Sequence, residues 1–209
     1  LTDKIAPTAA PVSGLRLVVM APPELQLLLE RDLDLARLQV LRGDEVIDDD
    51  EWARLAAAAP AQARGLLETE GYFDAKVTVR RRVEGSGPSA LQYVTLAVAA
   101  GPRTQVTSLQ VVATGDLQRR AALGEPDASA LLAALTDSGN ARVGKPFRNS
   151  DWAETKQALL ARLRAAGYAA PRLADSQAVI DTPTQHADLS VTLDSGPLFL
   201  LGTFKVDGL

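Results

Sequence analysis

The residues whose side chains could turn over a substrate are few, and their spacing does not suit catalysis. Asp48-Asp49-Asp50-Glu51 sets four carboxylates side by side, but neighbours in a helix point in different directions and cannot face each other as an acid–base pair. The run reads as an acidic helix start, where negative charge complements the helix dipole, and it lacks the ligand spacing of a calcium loop. His186 is the sole histidine and stands in the polar stretch Pro183-Thr184-Gln185-His186, which reads as a solvated loop. Ser86, Ser150 and Ser195 have no general base at a useful spacing. With no cysteine in the chain, thiol nucleophiles, disulfides and thiolate metal sites are excluded. Gly85-Ser86-Gly87 is a glycine pair in a hairpin, whereas a phosphate cradle needs a strand before it and a helix after it. Trp52, Trp152, Tyr72 and Phe73 read as packing residues. The expectation is therefore no enzyme, no catalytic residue, no metal and no cofactor, which leaves binding as the function.

The bulk composition agrees with a folded binding module. The chain has 209 residues, 46% of them hydrophobic, with 22 basic against 26 acidic side chains and a net charge of −4. That mix excludes disordered and collagen-like classes. A mildly acidic chain lacks the basic footprint of a nucleic-acid binder, so no nucleic acid is expected. No run approaches the roughly 20 apolar residues needed to span a bilayer as a helix.

The elements that must position any binding residues come in two copies. Gly71-Tyr72 recurs as Gly167-Tyr168, and Gly101-Pro102 recurs as Gly196-Pro197. Trp52 and Trp152 precede the two Gly-Tyr pairs. Each Gly-Pro follows an alternating run, Tyr93–Val98 and then Leu189–Leu193. Short strand patterns start at Leu15, Leu109 and Phe204, 94 and 95 residues apart. Four features in one order at one offset mark an internal repeat. The spacing predicts two units of about 95 residues and the first strand of a third, Phe204-Lys205-Val206-Asp207-Gly208-Leu209. We expect an extended lead-in over 1–13, units over 14–106 and 107–200, and a truncated third unit over 201–209, the whole being a piece of a longer protein.

Within the first unit the pattern predicts a strand over Leu15–Met20 and a helix opened by Pro22-Pro23 and Glu24, with Leu25, Leu28 and Leu29 as its apolar stripe, extended by Leu35 and Leu38. A second helix opens at the acidic run, breaks at Pro60, and restarts to run to about Glu70, where Gly71 stops it. A strand over Ala75–Val83, a turn at Gly85-Ser86-Gly87-Pro88 and a returning strand over Leu91–Ala99 complete the unit. The second unit predicts a strand over Leu109–Ala113, helices near Asp127–Thr136 and from Asn149 to Gly167, and strands over Leu173–Ile180 and Ala187–Leu193. The fold class is α+β, each unit β-α-α-β-β with two helices on one face of a three-stranded mixed sheet. Few residues separate Gly101-Pro102 from Leu109, too few for a flexible tether, so limited bending is expected.

This order, the helix-ending stretch Leu66-Leu67-Glu68-Thr69-Glu70-Gly71-Tyr72-Phe73-Asp74-Ala75, the strand-ending Gly101-Pro102-Arg103 and the segment from Ser195-Gly196-Pro197 to Asp207-Gly208 resemble POTRA domains, the polypeptide-transport-associated modules of the BamA/TamA outer-membrane assembly factor family. Val143-Gly144-Lys145-Pro146-Phe147-Arg148 through Trp152, with Gly167-Tyr168, looks most like the TamA branch. The resemblance covers about residues 14 to 209. The second unit departs from the pattern, with Ala169-Ala170-Pro171 where the first has Phe73-Asp74-Ala75.

The resemblance implies the periplasmic side of a Gram-negative outer membrane, a C-terminal β-barrel outside this chain, and a role in outer-membrane protein assembly or autotransporter secretion. Its partners would be a periplasmic TamB-like protein or nascent β-barrel substrates, and the isolated chain would be monomeric. It also makes the second strand of each unit an exposed edge, open to strand addition. The candidate partner-binding residues are Lys76, Thr78, Arg80 and Arg82 in the first unit, and Asp175, Gln177 and Val179 in the second. The alternatives are a structural spacer between the barrel and an inner-membrane-anchored partner, or the corresponding region of a BamA-type insertase.

Overall fold

The computed structural model describes residues 15–37, 49–85 and 91–199. The lead-in, Leu38, Asp48, the turn residues Ser86-Gly87-Pro88 and the strand expected from Phe204 lie outside the described residues. The chain divides between Pro102 and Arg103 into two compact units.

In the first unit the elements run β1 (Leu15–Met20), α1 (Pro23–Asp32), α2 (Asp49–Thr69), β2 (Lys76–Glu84) and β3 (Leu91–Ala99). The sheet order is β1-β3-β2, with β3 parallel to β1 and antiparallel to β2. Pro23 stands at the first helical position of α1, where its missing N–H costs nothing, and the Pro22 carbonyl accepts from Leu25 and Gln26 at 2.9 and 2.8 Å. Leu25 and Leu29 of α1 are buried together with Leu33, Leu35, Trp52, Leu67, Val94 and Leu96 in one core. Each such side chain contributes about 1.5–3 kcal/mol by leaving water.

Pro60 does not break the second helix as the sequence predicts. α2 runs unbroken through it. Trp52, Ala56, Ala59, Ala63 and Leu67 are all buried, and their spacings of three and four make one stripe that spans both sides of the proline. Burial of that continuous face outweighs the single backbone bond that proline removes.

The second unit runs β4 (Gln105–Thr114), α3 (Asp116–Ala122), α4 (Pro126–Leu135), α5 (Asn149–Ala165), β5 (Arg172–Asp181) and β6 (His186–Asp194), with sheet order β4-β6-β5. Its sheet repeats the first: β6 is parallel to β4 and antiparallel to β5. The molecule is thus α+β, with two three-stranded mixed sheets and their helices. The second unit carries a helix that the sequence pattern missed. α3 follows Gly115 directly and is only seven residues long, too short for an apolar period to register; its Leu117 is fully buried. His186 opens β6, opposite Gln105 and Asp181, rather than sitting in the preceding turn.

The recurring dipeptides have one structural meaning in both units. Gly71 and Gly167 adopt φ of 90° and 94°, a left-handed conformation that side chains resist. At the end of α2 the Gly71 N–H bonds the Glu68 carbonyl and the Tyr72 N–H bonds Leu67, both at 3.0 Å. After α5 the Gly167 N–H bonds Arg164 at 3.0 Å and the Tyr168 N–H bonds Leu163 at 3.1 Å. This is the Schellman closure, which satisfies the last helical carbonyls. Gly101 and Gly196 also have positive φ. A Cβ there would lie 3.6 Å from the Asp74 carbonyl oxygen in the first unit and 3.2 Å from that of Ala170 in the second. Asp74 and Ala170 each stand three residues after the helix-stopping glycine, so in both units the Gly-Pro glycine comes up against the same position of the segment that follows the helix.

Candidate partner-binding edges

Sheet order leaves β2 and β5 at edges, with β3 and β6 at the centres. An edge strand turns part of its main-chain N–H and C=O groups away from the sheet. Among the described residues, no backbone hydrogen bond outside the sheet reaches β2 or β5. The opposite edge of the second unit differs. The start of β4 is covered by residues 144–147: Val106 N–H bonds the Lys145 carbonyl at 2.8 Å, Gly144 N–H bonds Val106 at 2.8 Å, and Phe147 N–H bonds Thr104 at 2.9 Å.

The register sorts the candidate side chains by face. In β2, Val77 and Val79 pair with Val98 and Leu96 and belong to or pack against the core. Lys76, Thr78, Arg80 and Arg82 pair with Ala99, Ala97, Thr95 and Tyr93, so they share the opposite face, and all four are exposed. Arg81, on the core-side parity, donates from Nη2 to the Ala53 carbonyl of α2 at 2.9 Å. Arg82 makes an exposed ion pair with Glu84 at 2.9 Å, of a kind that contributes little to stability.

In β5, Asp175, Gln177 and Val179 pair with Thr192, Ser190 and Asp188, so they too share one face. That face is opposite to the buried Leu189, Val191 and Leu193 of β6. Ala174 is an extra residue between Leu173 and Asp175, where the register shifts. This bulge returns Leu173 to the register of Leu193 despite its odd spacing. Val179 is 50% exposed.

The two edges carry opposite charge. β2 has Lys76, Arg80, Arg81 and Arg82 against Glu84, whereas β5 has Arg172 against Asp175 and Asp181. The register also adds residues that the sequence reading did not select. Arg16 of β1 pairs with Tyr93, which in turn pairs with Arg82. A tyrosine thus lies between two arginines on the helix-free face, beside exposed Val18 and Met20. The alternation of β1, with Leu17 and Val19 pointing inward, was the available signal.

Three carboxylates in the second unit are held below the usual range. Asp194 accepts from Arg172 Nη2 at 2.7 Å and Nε at 3.0 Å, and from the Gly196 N–H at 3.1 Å; the Arg172 hydrogen bond is the main cause of its lowered pKa. Asp188 is lowered chiefly by the Ser108 hydroxyl at 2.6 Å, with Thr107 adding a second bond at 2.9 Å. Asp116 is lowered chiefly by Arg119 and then by the Leu198 N–H. These bonds tie strand ends and loops together. Ser195 has a similar role: its buried Oγ accepts from Leu117 N–H at 3.0 Å and donates to the Gly196 carbonyl at 2.9 Å. Among the described residues no group of three or more His, Asp and Glu could hold a metal, and no helix is long and apolar enough to cross a membrane.

No protein-family model matches the chain, and no curated protein does. Solved structures show distant likeness. POTRA domains 3–5 of Haemophilus influenzae BamA share 18% identity over 93% of this chain and 71% of that one, with a TM-score of 0.38. POTRA domains 1–2 of Anabaena Omp85 share 14% over 92% of this chain and 99% of that one, at 0.37. BamA from Haemophilus ducreyi lacking POTRA domains 1–3 shares 15% over 88% of this chain and 29% of that one, at 0.40.

Proposed function

We propose that this chain is the periplasmic POTRA region of an outer-membrane protein assembly factor of the TamA type, and that it binds extended segments of other proteins by strand addition at β2 and β5. The observation that carries this reading is the pair of edge strands β2 and β5, one in each unit, which no backbone hydrogen bond from outside the sheet reaches among the described residues. Main-chain pairing reads shape rather than sequence, so one edge can accept many extended chains. The opposite charges of the two edges sort those chains: β2 favours acidic strands, and β5 tolerates neutral or basic ones. The bound chains would be a TamB-like periplasmic protein or nascent β-barrel substrates.

Photoreactive residues stepped one position at a time along Lys76–Arg82 and Leu173–Ile180, in the protein in its native cellular setting, test this reading. The expected result is crosslinking to a protein partner with a period of two residues, since alternate side chains of an added strand share a face. Folded protein with no crosslinks on either strand would refute strand addition and favour a spacer that sets the distance between barrel and inner membrane.

A further inference from the structure

The second unit also contains a cationic cleft that strand addition leaves unused. A hollow of about 530 Å³ opens where α5 begins, with Arg103, Arg142, Lys145 and Arg148 around it and Asn140 and Asp151 completing the wall. Its cations come from three stretches of chain: the residues before β4, the loop between α4 and α5, and the residue that caps α5. Four positive side chains line the hollow, in a chain whose net charge is −4; Asp151 is the carboxylate among its lining residues, and Glu154 stands beside it, accepting from Asn140 Nδ2 at 2.6 Å. Among the described residues neither Arg142 nor Lys145 is paired with a carboxylate.

The walls are fixed by the fold. Thr155 is fully buried on α5, and its Oγ1 accepts from the N–H groups of Asn140 at 3.1 Å and Ala141 at 2.9 Å. Residues 144–147 are pinned to Val106 of β4 and to Thr104 just before it by the three backbone bonds described above, with Phe147 buried. Arg142 Nε bonds the Gly139 carbonyl at 3.3 Å. No side chain caps the first turn of α5, so its leading N–H groups add positive potential to the same side.

We propose that this cleft binds a phosphate-bearing anion, either a free phosphoester or the headgroup of a phospholipid. Guanidinium forks match phosphate oxygens in pairs, and lysine adds a point charge. Arg142 and Lys145 stand on one loop with neither paired to a carboxylate among the described residues, and an anion held between them offsets their like charge. The hollow is larger than one phosphate ion requires and suits a phosphate carried on a small polar group.

The 209-residue chain, titrated with glycerol 3-phosphate and followed by backbone amide NMR, tests the free ligand. Co-sedimentation with phosphatidylcholine vesicles, with and without phosphatidylglycerol, tests the headgroup. Binding is expected to perturb Arg103 and residues 142–150, and to weaken at least about tenfold in the Arg142→Glu/Lys145→Glu variant. Both residues are exposed, so folding should survive, and Arg142→Gln/Lys145→Gln is the milder check. Arg54→Glu/Arg64→Glu makes the same charge change at two exposed positions of the first unit and should leave binding intact. Response to glycerol 3-phosphate identifies a free phosphoester, and response to anionic vesicles alone identifies a headgroup. Binding of neither, equal loss in both charge-reversed variants, or preference for a polyglutamate peptide over both probes would overturn the proposal.

Discussion

Single side chains in this protein act mainly by closing backbone gaps. Thr155 is the clearest case: its hydroxyl accepts from two loop N–H groups and donates to the Asp151 carbonyl at 2.7 Å. Valine has nearly the same shape but cannot accept, so Thr155→Val leaves two N–H groups without their partner. The expected cost is about 2–4 kcal/mol, measured as a lower denaturant midpoint with an unchanged slope. Asp188 and Asp194 make a pH prediction. Their folded pKa values lie below the unfolded ones, so the unfolded chain binds protons more readily as the solution is acidified. Their contribution to stability is present above the unfolded carboxylate pKa of about 4 and is lost as pH falls through the lower folded values. The acid limb of stability against pH should therefore flatten in Asp188→Asn and Asp194→Asn, at unchanged protein concentration and salt.

At the scale of elements, the helix ends and the strand edges have different duties. Gly167 ends α5 with φ of 94°, and a Cβ there would lie 3.0 Å from Leu198 Cδ1. Gly167→Ala is expected to cost about 1–2 kcal/mol through the left-handed conformation alone. Pro60 offers the opposite test, because alanine would restore an N–H within α2. Pro60→Ala should raise the melting temperature of the first unit, by an amount reduced by the unfolded-chain freedom that alanine regains. The edges bear on binding: Arg80→Glu/Arg82→Glu should suppress crosslinking of acidic partners along β2 while leaving crosslinking along β5 in place. Suppression along both edges would show that charge at β2 is not what selects the bound chain.

For the whole molecule, the central fact is that each unit encloses its own apolar side chains. The first core draws on α1, α2 and all three strands of its own sheet. The second buries Leu117, Leu135, Leu159, Leu163, Leu189 and Leu193. Trp52 lies in the first and Trp152 in the second, and both are 4% exposed. Since the chain has only two tryptophans, Trp52→Phe and Trp152→Phe each leave one unit with the fluorescent reporter. Leu163→Ala, at about 2–5 kcal/mol, should move the unfolding transition seen by Trp152 and leave the one seen by Trp52 unchanged. Coincident shifts of both would contradict two separately cooperative units.

Local chemistry made much of this molecule legible from its sequence. Gly71-Tyr72 and Gly167-Tyr168 announce helix ends because few residues other than glycine take the left-handed turn that satisfies the last carbonyls. Strands β1, β2, β3 and β6 show in alternating apolar residues because one face of each is buried. The two-unit repeat follows from these signals recurring at one offset, and Lys76, Thr78, Arg80 and Arg82 share a face by parity alone. The tertiary structure decided what depends on distant partners. Pro60 stays within a helix because a stripe from Trp52 to Leu67 is buried as one surface. The parity of β5 depends on a bulge at Ala174, which appears only against β6. Tyr93 comes between Arg16 and Arg82 through strand pairing across more than 70 residues of chain, and Arg103 comes beside Arg142, Lys145 and Arg148 through the pinning of the 144–147 segment to β4. Such juxtapositions leave no periodic trace, because chain folding rather than local spacing brings the residues together.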